Sequence, residues 1–188
     1  MIVIGGSLGG CEALREVLSR LPADFPLPIA AVLHRHRDAD SLLVAVVQRG
    51  CPLPVADAED KEPILGGKVY LAPPDYHLLI GGDTFALSTD ELVNFARPSV
   101  DALFESAAEW GGPAVLAVVL SGSGTDGACG AARVEAAGGT VLVQDPASAP
   151  GPWMPTAAAA ATRFPRVLGL PEISAALVAH AAGPAPGR

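Results

Sequence analysis

The chain has 188 residues, a length for one medium domain, and 20 acidic against 12 basic residues give it a net charge of −8. That balance argues against a broad phosphate-binding face or a polybasic membrane anchor. Half the residues are apolar but only 5% are aromatic and 17% charged, so the core rests on Ala, Val and Leu. No apolar run approaches the roughly 18 residues of a membrane span, and MIVI lacks the charged and apolar regions of a signal peptide. The sequence is therefore read as cytoplasmic, without nucleic-acid binding or membrane insertion. Cys11, Cys51 and Cys129 form no C-x-x-C pair and suggest structural thiols rather than a disulfide or zinc framework.

In chain order, residues 2–4 read as a β-branched strand ending in glycines. Leu14, Val17, Leu18 and Leu21 fall on one face of a helix that Pro22, Pro26 and Pro28 stop. Residues 29–33 read as a buried strand, and Asp38 to Gln48 as a second helix with Leu42, Leu43, Val46 and Val47 as its stripe. From Cys51 to Ser88 short strands alternate with turns, and Gly81-Gly82 joins a hairpin. Ser99 caps a helix whose Val100, Leu103, Phe104 and Ala107 share a face. Residues 114–120 form a strand buried on both faces, followed by GSGTDGACG, a helix to Ala137, a strand at 140–144 and mostly helix after Met154.

Strand–helix alternation of this kind predicts a doubly wound α/β fold: a mainly parallel sheet, helices on both faces, and a β-hairpin insert at one end. The expected domain covers residues 1–182, and 183–188 read as a disordered tail. Ligands bind beyond the carboxyl ends of the strands in such sheets. Three of those ends carry polar residues: Ser7, His34 and the S-G-S-G-T-D-G loop containing Asp126.

Each of the three has competing readings. Ser7 in GGSLGG sits where a sharp turn and a helix N-terminus suit a nucleophile, an N-cap or a phosphate cradle; G-x-G-x-x-G and G-K-[ST] are absent. His34 suits a general base or an ordinary loop histidine, and His36 completes an H-x-H with no evident third metal ligand. Asp126 suits the partner of an imidazole or an Asp-Gly turn. Together they allow a Ser-His-Asp hydrolase, without the G-x-S-x-G elbow or the chain order of the α/β-hydrolases.

VIGGSLGGCEALREVL, LHRH, EDKEPILGGKVYLAPPDYHLLI, RPSVDALFESAA, VVLSGSGTDGACG and GGTVLVQDPASAPGPWMP resemble, in order, segments of the catalytic domain of CheB-type protein-glutamate methylesterases. The likeness covers roughly residues 1–180. It implies hydrolysis of glutamate methyl esters on bacterial chemoreceptors with release of methanol, together with deamidation of receptor glutamines. By motif it implies Ser7 as nucleophile, His34 as base and Asp126 as its partner, with backbone donors near Leu8 and Ser123 and no metal or organic cofactor. The methylated chemoreceptor cytoplasmic domain is the implied partner. The resemblance also places the RPSVD segment and Met154-Pro155 near the active-site cleft: Arg97 suits a contact with carboxylates flanking a receptor methylation site or a solvent-facing charge before a helix, and Met154 a substrate-side position or a gap-filling core residue.

Two departures stand out. Leu8, Ser123 and Trp153 replace the family's usual threonine or alanine, methionine and glycine, which keeps a non-catalytic receptor-binding module as the alternative. The sequence opens at the first catalytic strand, without the receiver domain that chemotaxis members carry. The expectation is therefore catalysis ungated by phosphorylation in cis, with a separate regulatory protein as a candidate partner.

Overall fold

The structure is a computed structural model, and it describes residues 1–35 and 42–183. Seven parallel strands form one sheet: β1 (Ile2–Gly6), β2 (Ile29–Leu33), β3 (Val55–Asp57), β4 (Val69–Leu71), β7 (Leu116–Val119), β8 (Thr140–Gln144) and β9 (Arg166–Leu168). Their spatial order is β3-β4-β2-β1-β7-β8-β9. A separate antiparallel hairpin is made by β5 (His77–Ile80) and β6 (Phe85–Ser88). The helices are α1 (Gly10–Ser19), α2 (Leu42–Gln48), α3 (Val100–Gly111), α4 (Ala128–Ala136), α5 (Trp153–Ala161) and α6 (Leu170–Ala181).

Both faces of the sheet are buried because successive side chains of a strand point to opposite faces. Ile2 and Ile4 of β1 join Leu14 and Leu18 of α1, Val47 of α2 and Leu177 of α6 in one layer. Val3 joins Leu103 and Phe104 of α3, Val134 of α4 and Met154 and Ala158 of α5 in the other. The hairpin closes this second layer with Leu78, Ile80 and Phe85.

The doubly wound architecture is as expected, with two differences of detail. β3 and β4 belong to the main parallel sheet, so the inserted element is the β5–β6 hairpin alone. β9 interrupts the stretch read as helix; its Arg166 and Val167 are exposed at the sheet edge, which erases the apolar signal of a strand. α2 is described from Leu42; residues 38–41 of its expected length lie outside the described residues, as does 184–188 of the expected tail.

The topology creates a crevice. β1 lies between β2 and β7; the chain builds β2, the edge strand β3 and the intervening β4 on one side, then crosses to β7, β8 and β9 in turn on the other. The carboxyl ends of β1, β2 and β7 therefore open onto a common switch point, where the connections diverge and leave room for a ligand. Gly5 permits a close approach there: a Cβ on it would lie 2.1 Å from Val100 Cγ1, so β1 and the first residue of α3 can touch only because the side chain is missing.

Candidate active site

At the end of β2, His34 Nε2 donates to Asp126 Oδ2 at 2.6 Å, across 92 residues of sequence. The imidazole is 21% exposed and the carboxylate 2%. Nε2 is spent on Asp126, which leaves Nδ1 as the nitrogen able to take a proton from a substrate-side group.

The loop after β7 delivers Asp126 to the head of α3. Its Oδ2 also accepts the Val100 N–H (2.7 Å), and its Oδ1 accepts from the Ser99 hydroxyl (2.8 Å), the Asp101 N–H (3.0 Å) and Asn94 Nδ2 (3.1 Å). A helix N-terminus offers free N–H groups and a positive dipole end, a favourable place for a negative charge. Burial alone would raise this carboxyl. The bonds from His34, from the Asp101 and Val100 N–H groups and from Asn94 outweigh it and hold Asp126 below the usual carboxylate value. Ser99 still caps α3, accepting the Ala102 N–H at 3.5 Å, as the sequence predicts. That this helix start also solvates Asp126 was not legible in the cap.

Ser7 follows β1. Gly6 pairs with Leu33, so one step further Ser7 stands beside His34. The His34 N–H continues the ladder by donating to Gly6 O at 3.1 Å. Ser7 N–H donates to Ser121 O (2.9 Å), and its carbonyl accepts the Gly10 N–H (2.8 Å). Its half-buried side chain makes no hydrogen bond among the described residues, and so none to His34. Catalytic bonds of this kind commonly tighten only when substrate is bound. The Leu8 and Gly9 N–H groups, ahead of α1, find no acceptor among the described residues. Gly9 has φ +74°, the left-handed region that glycine adopts without strain.

A cleft of about 720 Å³ runs past this site, walled by His34, Asn94, Phe95, Arg97, Ser123 and Asp126 among others. Ser7, Leu8 and Met154 lie outside that wall. Arg97 is in the wall but engaged: Nε and Nη2 donate to Asp75 Oδ1 (3.1 and 2.7 Å), and Nη1 to the Thr89 and Asp90 carbonyls (2.7 and 2.8 Å). Its guanidinium fastens the loop before α3 while lining the cleft. Met154 is fully buried, and a Cβ on Gly122 would lie 2.1 Å from its sulfur. It packs against the Ser121–Gly122 turn, in keeping with the gap-filling reading of this methionine.

The residues that depart from the family pattern leave the backbone intact. Leu8 is 58% exposed, Trp153 67%, and Ser123 is exposed. Their side chains face solvent, while Ser121 Oγ ties the Leu8 carbonyl (2.6 Å) to the Gly151 N–H (2.9 Å). His36 lies outside the described residues. Among the described residues no cluster of three or more His, Cys, Asp or Glu could hold a metal, and no helix is long and apolar enough to cross a membrane. Asn94 escaped the sequence reading. Its only signal is its place three residues before Arg97-Pro98-Ser99; one partner, Asp101, is seven residues on, and the other, Asp126, is 32 away.

Comparison with known proteins follows the same lines. The family described as CheB methylesterase matches residues 2–177. A protein of Leptospira interrogans is 42% identical over 174 residues, 92% of this chain and 90% of that one. Protein-glutamate methylesterase/protein-glutamine glutaminase 4 of Myxococcus xanthus is 40% identical over 94% of this chain, and the Azospirillum brasilense protein-glutamate methylesterase/protein-glutamine glutaminase is 39% identical over 92%. The chain spans about half the length of these two, 50% and 45%. The crystal structure of the Thermotoga maritima CheB methylesterase catalytic domain superposes with a TM-score of 0.89 at 33% identity, covering 95% of this chain and 96% of that one.

Proposed function

The chain belongs to the CheB methylesterase family, and from that membership we propose that it hydrolyses methyl esters of glutamate side chains on chemoreceptors, with Ser7, His34 and Asp126 as its catalytic groups. The observation that carries the assignment of roles is the 2.6 Å bond between His34 and an ionised, buried Asp126, one strand from Ser7.

Ser7 Oγ attacks the ester carbonyl while its proton passes to His34 Nδ1. Asp126 fixes the ring and stabilises the imidazolium that forms. The tetrahedral oxyanion is met by backbone N–H groups near Leu8 and Ser123; each such donor is worth about 10²–10³ in rate. His34 then gives the proton to the departing methoxide, releasing methanol. Water, deprotonated by the same imidazole, cleaves the glutamyl ester of Ser7 and restores the enzyme. With a glutamine side chain the same steps release ammonia, the second activity named for the relatives.

The test is methanol release from a methylated chemoreceptor cytoplasmic fragment. Wild type releases methanol, and Ser7→Ala, folded by circular dichroism, does not. Full release by Ser7→Ala overturns the mechanism. Binding of the fragment without any release by wild type points instead to the non-catalytic reading.

A further inference from the structure

Asp126 has a second buried carboxylate for a neighbour. Asp101 is 3% exposed, and its Oδ1 accepts the Gly130 N–H at 2.7 Å. Burial, with the charge of Asp126 adding to it, pushes Asp101 up against the bonds it receives from Gly130 and Asn94. The two acids are held by one amide group: Asn94 Nδ2 donates to Asp101 Oδ2 at 2.7 Å and to Asp126 Oδ1 at 3.1 Å. An amide nitrogen carries two N–H bonds, and both are committed here.

We infer that Asn94 is a positioning residue of the proposed hydrolysis, tethering Asp126 to Asp101 so that Oδ2 stays aimed at His34. This inference rests on the reading of the previous subsection. The backbone of the loop supports it. Asn94 and Phe95 have φ of 51° and 62°, and Val93 and Ala96 exchange hydrogen bonds across them (3.2 and 2.9 Å). Asparagine tolerates the left-handed region better than most residues. Phe95 is 98% exposed, so packing of its own ring does not hold the turn. The rest of the loop is braced elsewhere. Arg97 holds Asp75, Thr89 and Asp90, and His77 joins the two ends, Nε2 donating to Glu91 O (3.0 Å) and Nδ1 accepting the Ser99 N–H (3.3 Å). Loss of the Asn94 amide is therefore felt at the carboxylate pair rather than throughout the loop. Without it, Asp126 keeps the Ser99 hydroxyl and its backbone donors, but no side chain donates to both carboxylates. Their repulsion is relieved by a proton or by movement of Asp126, and either weakens its grip on His34.

Two variants test this in the receptor-fragment assay. Asn94→Gly keeps the left-handed turn and removes the amide. Asn94→Asp keeps the turn and the size and replaces the donor with a third acid. The titratable and charged groups facing this point are His34 from β2, Asp101 and Glu105 from α3, and Cys129 and Arg133 from α4. Asn94→Gly is expected to lower kcat about 10- to 100-fold, the scale of a small misplacement of a catalytic group, with KM within about twofold and Tm nearly unchanged. Asn94→Asp is expected to move the acid limb of kcat/KM to higher pH, because the added negative charge holds the proton on His34. Wild-type kcat in Asn94→Gly, an unmoved acid limb in Asn94→Asp, or a fall in kcat matched by a fall in Tm overturns the inference. If those results come with Ser7-dependent release by wild type, only the role of Asn94 fails. Absence of that release from wild type removes the hydrolase reading and the inference together.

Discussion

Five donors converge on Asp126. Val100 N–H, Asp101 N–H, the Ser99 hydroxyl, Asn94 and His34 all point at its two oxygens. Replacement by asparagine swaps one acceptor for a donor amid donors, so it costs the fold as well as the reaction. Asp126→Asn is expected to lose about 10⁴ in kcat, the scale seen when an imidazole loses its carboxylate, and about 1–3 kcal/mol of stability at neutral pH. The pH dependence fixes the sign. Asp126 titrates below its unfolded value of 3.8. Its stabilisation is therefore present above that value and is lost as pH falls through the folded pKa. Urea unfolding of wild type and Asp126→Asn should differ most at neutral pH and converge toward pH 2. A gap that widens on acidification refutes the assignment.

Among elements, the contact between β1 and α3 links packing to the site. The head of α3 reaches Asp126 because Gly5 has no side chain, and its closest neighbour is Val100, the residue whose N–H binds Asp126. A methyl group at Gly5 would meet two carbons of that side chain at 2.1 and 2.8 Å and displace the helix start. Overpacking of this kind costs about 1–3 kcal/mol. A displacement near 1 Å of a group on which catalysis depends costs about 10² in rate. Gly5→Ala is therefore expected to lose about 100-fold in kcat while remaining folded. Near-normal kcat in a Gly5→Ala protein with lowered Tm would show that α3 can shift without disturbing Asp126.

At the scale of the whole molecule, one seven-stranded sheet feeds two layers. β1 gives Ile2 and Ile4 to one and Val3 to the other, and β2 gives Ile29, Ala31 and Leu33 to one and Ala30 and Val32 to the other. Neither layer can open without exposing the strands that serve its counterpart. A single cooperative transition is expected, in which far-UV circular dichroism and Ser7-dependent hydrolysis disappear at the same urea concentration. Activity lost well before the helical signal would mean that the switch point opens as a unit of its own.

The sequence by itself determined the alternating strands and helices, the residues at the three strand ends, the Ser99 cap and the family. These rest on local periodicity, turn chemistry and contiguous motifs, which are written along the chain. Tertiary structure decided what no local pattern encodes. β3 and β4 joined the parallel sheet through long-range pairing, and β9 formed from an exposed three-residue edge with little apolar signal. Arg97 proved to be spent on Asp75 and two carbonyls, and Met154 to lie beneath Gly122. Asn94 came to bridge Asp101 and Asp126. In each case the deciding partner is close in space and absent from the local pattern. A side chain's role depends on which polar groups folding brings within about 3 Å of it, and on how far it shields them from water.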